Sequence, residues 1–261
     1  MRPPAQHMTP GTLTFNQRVV LNTKRLKDKL GLPVSYADFE FSYFKRKMDA
    51  SYIPEERERQ LSRIFGRETE EIKSYVAEAE AIDFNERIRQ PEVSPDEIGN
   101  PMGRTDRITL YAAIRICKPM VVLETGTAAG ASATYMLSAM EKNNRGFIYS
   151  IDAASDRTHV GCLVPDGLRN RLNLSCGSSL LLIPEIAEKA NGIDFFVHDS
   201  LHTYEHMTAE YELFYRHMSK AGGVICSHDI LMSNAWDHFI TRHRLKCSGV
   251  VKNFGICRTE V

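Results

Sequence analysis

The chain of 261 residues has no excess of charge of either sign: 33 lysines and arginines stand against 33 aspartates and glutamates. That balance argues against the basic surface that holds nucleic acid or an anionic membrane, and for a neutral or mixed partner. No apolar run approaches a membrane span, and the start, MRPPAQHMTPGTL, lacks the apolar core of a secretory leader, so a cytoplasmic protein is expected. The six cysteines, at 117, 162, 176, 226, 247 and 257, make no C-x-x-C pair and no zinc spacing; reduced, buried thiols are expected. Internal repeats and low-complexity tracts are missing, which removes solenoids and propellers. What the chain does have is 43% hydrophobic residues, enough for one α/β domain with a sizeable core plus an appendage.

Residues 1–103 are rich in charge and helix punctuation and poor in apolar strands, which predicts a helical cap or dimerisation region. Pro54 and Gly66 bracket one helix. Ile72, Tyr75, Val76, Ala79 and Ile82 recur at steps of three and four and predict a second over about 69–88, with the charge run EERERQ (55–60) as solvated helix surface. Pro91, Pro95, Gly99, Pro101 and Gly103 form a turn-rich boundary. Over 104–261 a helix is followed by alternating strands and helices, the strands expected at 121–124, 147–151, 172–176, 193–197 and 223–227, which calls for a parallel sheet. After a helix at about 235–244, the runs 249–251 and 254–257 lie too close together to pair other than antiparallel.

The stretch VVLETGTAAGAS (121–132) joins an apolar strand to a glycine-rich turn and a helix, with Glu124 at the strand end and Gly126 and Gly130 allowing a ligand against bare backbone. A dinucleotide pyrophosphate wants G-x-G-x-x-G, and GTAAG has two glycines rather than three. The pattern E-x-G-x-x-x-G-x-S, filled by Glu124, Gly126, Gly130 and Ser132, resembles the cofactor loop of class I S-adenosylmethionine-dependent methyltransferases and looks closest to the catechol O-methyltransferase-like, natural-product branch. The resemblance covers about 105–261. It implies a Rossmann-like, seven-stranded, mostly parallel sheet with an antiparallel C-terminal hairpin, behind the helical N-terminal appendage. It also implies S-adenosylmethionine at Glu124, Gly126, Thr127, Gly130 and Ser132, where the Glu124 carboxylate would attract the cofactor's ammonium and repel a pyrophosphate.

Open α/β sheets bind ligands outside the carboxyl ends of their strands. Asp152 ends the second strand, where a carboxylate can accept both ribose hydroxyls; Ser178 and Ser179 follow the third, where they either meet the adenine edge or cap a helix. Many methyltransferases carry aspartate at this last place. The fourth strand is followed by HDSLHTYEH and the fifth by SHDI, which should bring Asp199, His202, His228 and Asp229 together beside the methyl donor. In the resembling enzymes acidic residues at these places bind magnesium; here His228 replaces one oxygen, so the divalent ion expected at Asp199, His228 and Asp229 is magnesium or a transition metal. His202 is the expected general base, with Asp199 beside it, because imidazole can take a hydroxyl proton near neutral pH. His198 should face away from Asp199, Thr203 should cap the next helix, Glu205 and Glu210 suit its early turns, and Tyr211, Phe214 and Tyr215 read as core. Trp236 either stacks on a planar acceptor or anchors its helix.

The expected reaction is methyl transfer to a hydroxyl of a small natural-product, sugar or phenolic acceptor, by an enzyme that could form a homodimer. Nitrogen or carbon acceptors, a nicotinamide-dependent oxidoreductase and a catalytically silent binding module are the alternatives.

Overall fold

The structure is a computed structural model and describes residues 54–83, 102–154, 159–219 and 222–259. The cap expected over 1–103 therefore lies largely outside the described residues. Seven strands, β1 (Val121–Thr125), β2 (Phe147–Asp152), β3 (Leu172–Cys176), β4 (Phe195–His198), β5 (Gly223–Ser227), β6 (Ser248–Val251) and β7 (Phe254–Thr259), form one sheet in the order β3-β2-β1-β4-β5-β7-β6. β1 to β5 pair in parallel, while β7 runs antiparallel to both β5 and β6. The helices are α1 (Pro54–Phe65), α2 (Thr69–Glu80), α3 (Arg104–Cys117), α4 (Ala131–Asn143), α5 (Ser179–Ala190), α6 (Tyr204–Arg216) and α7 (Ala235–Arg242).

The chain winds outward from β1 to β3, then returns to place β4 on the other side of β1. Such a reversal opens a crevice at the carboxyl ends of the two central strands. β1 and β4 are buried along their whole length, because helices cover both faces of a parallel sheet; that is why VVL and FFV are unbroken apolar runs. The carboxylate of Asp194 accepts the amides of Met120 and Val121, both at 2.9 Å, tying the approach to β4 to the start of β1. α6 is docked by Phe214, stacked on Phe196 with ring centroids 4.7 Å apart, and by Tyr211, whose hydroxyl is 2.6 Å from Ser227 Oγ. Burial of each such aromatic contributes about 1.5–3 kcal/mol.

Three expectations need correction. The helix predicted over 69–88 stops at Glu80, where the Ala81 amide donates to the Ala77 carbonyl and the Ile82 amide to the Ala79 carbonyl; Ile82 packs on the core from outside the helix, and 84–88 lie outside the described residues. The run EERERQ is not wholly solvated, since Arg57 and Glu58 are buried and paired with each other at 2.7 Å. α1 lies along the sheet edge, with Arg63 donating to the Ser248 carbonyl at 2.5 Å, and a mutually neutralising pair can be buried there. Finally, β4 begins at Phe195; Ile193 makes only an isolated bridge to Met218. Trp236 proves to be an anchor, 2% exposed, with its ring against Gly255 of β7. None of the six cysteines is joined in a disulfide, and among the described residues no helix is long and apolar enough to cross a membrane.

Candidate active site

The glycines of the 121–132 loop are demanded by the chain itself. A Cβ on Gly126 (φ +89°) would stand 1.9 Å from the Asp199 carbonyl oxygen, and one on Gly130 (φ +89°) 2.9 Å from Gly161 Cα. The bare backbone expected to meet a ligand thus meets the turn after β4 and the 161–164 turn. Between them Ala128 adopts φ +44°, and its amide donates to Asp152 Oδ2 at 2.7 Å, while Asp152 Oδ1 accepts the Ala154 amide at 2.8 Å. Asp152 therefore draws the loops after β1 and β2 together, with one further acceptor site left on each oxygen.

Glu124 does not face the crevice. It is fully buried behind the loop, accepting hydrogen bonds from Ser132 and, at 2.6 Å, from Ser150. Burial pushes its carboxyl up to about 7 even though both serine bonds pull it down. Where a cofactor ammonium was expected, two serine hydroxyls meet the carboxylate: β1 is covered on both faces, so a strand-end residue can point inward as easily as outward. The Thr127 hydroxyl is similarly occupied, 2.6 Å from Ser150 Oγ.

A cavity of about 750 Å³ lies over the carboxyl ends of the central strands. Gly126, Thr127, Gly130's neighbour Ala131, Ser132 and Asp152 line one side; Asp199, His202, His228 and Asp229 line the other. Ser178 and Ser179 close the β3 end; Ser178 occupies the cap position of α5 but its side chain makes no capping bond. The volume is that of an ordinary small-molecule site.

Strand pairing carries the two signature turns to this cavity: the Asp199 amide bonds the Thr125 carbonyl at 2.9 Å, and the His228 amide bonds the His198 carbonyl at 2.9 Å. Asp199 Oδ1 lies 2.8 Å from His228 Nδ1 and 3.5 Å from His202 Nε2. Asp229, at φ +51°, places Oδ2 3.6 Å from His228 Nδ1 while its Oδ1 accepts from Asn253. A third carboxylate, Asp106 of α3, lies 3.4 Å from His228 Nε2. Burial works against a charged His228, but Asp106, Asp199 and Asp229 outweigh it and push the imidazole up to about 10, so His228 is an imidazolium at neutral pH. Burial likewise opposes ionisation of Asp199, yet the two imidazoles beside it hold its carboxyl below the ordinary value.

These residues suit a transition ion better than magnesium. Asp199, His202 and His228 offer ligand atoms within 4.8 Å of one another, but two are imidazoles, which suit transition ions, whereas magnesium wants an octahedron of oxygens.

Beneath the cavity, Glu210 of α6 is fully buried and bonded to Thr125, His198, Ser200 and His206. Glu210, His206 and Asp106 were not foreseen as site residues. For Glu210 a signal existed: Met207, Glu210, Tyr211 and Phe214 stand at i, i+3, i+4 and i+7, so a charge falls within a core-facing stripe. Asp106 has no comparable local mark.

A family model described as a methyltransferase domain matches residues 123–230. These residues form a methyltransferase domain. Among solved structures, the chain is similar to a Staphylococcus aureus protein assigned as a caffeoyl-CoA O-methyltransferase, at 13% identity over 70% of this chain and 94% of that one, with a TM-score of 0.55. It is also similar to the O-methyltransferase from Bacillus cereus in complex with SAH (13% identity, 77% of this chain and 96% of that one, TM-score 0.49). A third is TomG from Streptomyces achromogenes, involved in tomaymycin synthesis and solved with SAM (12%, 72% and 90%, TM-score 0.49). No curated protein sequence matches the chain significantly. The methyltransferase domain has the class I fold that the sequence resemblance implied: a seven-stranded sheet, parallel but for its C-terminal hairpin.

Proposed function

We propose that the protein transfers the methyl group of S-adenosylmethionine to a hydroxyl of a small natural-product, sugar or phenolic acceptor. One observation carries the reading: a single cavity of about 750 Å³ sets the glycine loop and Asp152 opposite Asp199 and His202. The adenosyl ribose lies at Asp152, which keeps acceptor capacity on both oxygens, with Ser178 and Ser179 toward the adenine. The methyl group then faces the Asp199 side, where an acceptor hydroxyl can be aligned for direct displacement at the sulfonium. His202 takes the hydroxyl proton, and Asp199, ionised between two imidazoles, orients it. A divalent ion held by Asp199, His202 and His228 would lower the pKa of the acceptor hydroxyl. The region before residue 104 supplies acceptor selectivity and a dimer contact, and the enzyme works in the cytoplasm.

The test is calorimetric titration of the pure protein with S-adenosylhomocysteine. Binding is expected for the wild type, and a loss of about tenfold or more for Asp152→Ala, which removes a charged hydrogen-bond acceptor. Absence of binding by the wild type overturns the reading.

A further inference from the structure

We propose that Glu210 is a positioning residue for this pocket, a buried carboxylate that sets the loop after β1 and the turn after β4 from below. The proposal rests on the methyltransferase reading above.

An ionised carboxylate has about four lone-pair sites. All four are used here: Oε2 takes Thr125 Oγ1 at 2.7 Å and His198 Nδ1 at 2.6 Å, and Oε1 takes Ser200 Oγ and His206 Nε2, both at 2.9 Å. Because the acceptor cannot donate, both imidazoles must present an N–H to it. The partners are placed to matter. Thr125 immediately precedes Gly126; His198 and Ser200 flank Asp199 on either side; His206 and Ser200 themselves line the cavity.

Holding α6 on the sheet does not require an ion, since the Phe214–Phe196 stack and the Tyr211–Ser227 bond already do so. A buried anion is costly unless every lone pair is answered, and an apolar side chain at this stripe position would be cheaper. The carboxylate also cannot be copied by its amide. Glutamine offers one acceptor oxygen and two N–H donors, so one hydroxyl and one imidazole would each have to turn from donor to acceptor.

Glu210→Gln keeps the volume and the helix, and three measurements on it separate positioning from plain support. Long-range proton–nitrogen spectra of the wild type should show two imidazole N–H protons moved downfield by the carboxylate, at least one of them lost in Glu210→Gln. Calorimetry should show S-adenosylhomocysteine bound about tenfold more weakly by Glu210→Gln, with His206→Ala adding little further loss in the double variant because the pair acts as one unit. Circular dichroism should show unchanged helix content. Wild-type affinity in Glu210→Gln, whatever its melting temperature, overturns the proposal. Should that variant fail to fold, wild-type affinity in both Ser200→Ala and His206→Ala overturns it instead. A wild type that shows the downfield protons but binds no S-adenosylhomocysteine removes the methyltransferase reading, and this inference with it.

Discussion

Gly126 and Asp199 meet backbone to backbone: the position a Gly126 Cβ would take lies 1.9 Å from the Asp199 carbonyl oxygen. The glycine loop after β1 and the turn bearing Asp199 and His202 are thereby held at one fixed separation. Gly126→Ala adds a left-handed backbone strain at φ +89° to an overlap that no side chain can relieve, so β1 and β4 must part. A loss of about 2–4 kcal/mol in urea unfolding is expected, with loss of S-adenosylhomocysteine binding. Wild-type stability in this variant would mean that the two turns are not in contact.

Glu124 should make stability fall as pH rises. Its folded carboxyl, pushed up to about 7 by burial, keeps its proton over a range in which the unfolded chain, with an ordinary value of 4.5, has lost it. The stabilisation is full below pH 4.5, declines between 4.5 and 7 and is gone above, a span worth roughly 3 kcal/mol. Glu124→Gln cannot titrate. The difference in unfolding free energy between variant and wild type should therefore climb in the variant's favour from pH 4 to pH 8, whatever fixed offset the amide adds. A flat difference would show that Glu124 ionises normally.

These two residues also mark where reading the sequence stopped. The strands at 172–176 and 223–227 have the limits expected, and the C-terminal hairpin forms, because buried parallel strands are short apolar runs between turn residues and a two-residue gap allows only a hairpin. The Asp199, His202, His228 and Asp229 cluster was readable for a similar reason: residues just past strand ends share one crevice. The direction of Glu124 was not, since a strand covered on both faces has no polar alternation to report it. Nor was the Asp106–His228 approach, which joins residues 122 positions apart through helix packing alone.

Trp236 and Gly255 offer a test of the C-terminal anchor away from the cavity. A Cβ on Gly255 would come within 2.5 Å of Trp236 Cε2, and the indole is walled on its other side by Tyr211, with centroids 5.9 Å apart. Gly255→Ala should cost about 1–3 kcal/mol through overpacking. Chemical denaturation measures this, and S-adenosylhomocysteine affinity at low temperature should stay within about threefold of wild type because the strain lies off the cavity. Unchanged stability would mean that the ring can shift, and that α7 is held by something else.

His202 carries the chemical prediction. Its Nε2 lies 3.5 Å from Asp199 Oδ1, and the residue lines the cavity proposed to hold the acceptor. The Asp199 carboxylate beside it stabilises the imidazolium that forms when the ring takes the hydroxyl proton. His202→Ala should then lower turnover by about 10²–10⁴-fold, the usual worth of a general base. S-adenosylhomocysteine affinity should change little, because the ribose and adenine are proposed to lie at Asp152, Ser178 and Ser179 rather than at His202. A merely structural histidine would disturb both, so the contrast between turnover and affinity decides. Added imidazole should restore part of the lost rate by occupying the vacated space and taking the proton itself. The measurement is release of S-adenosylhomocysteine over a panel of phenols and sugars. Full turnover in His202→Ala on any acceptor the wild type methylates would assign the proton to another group.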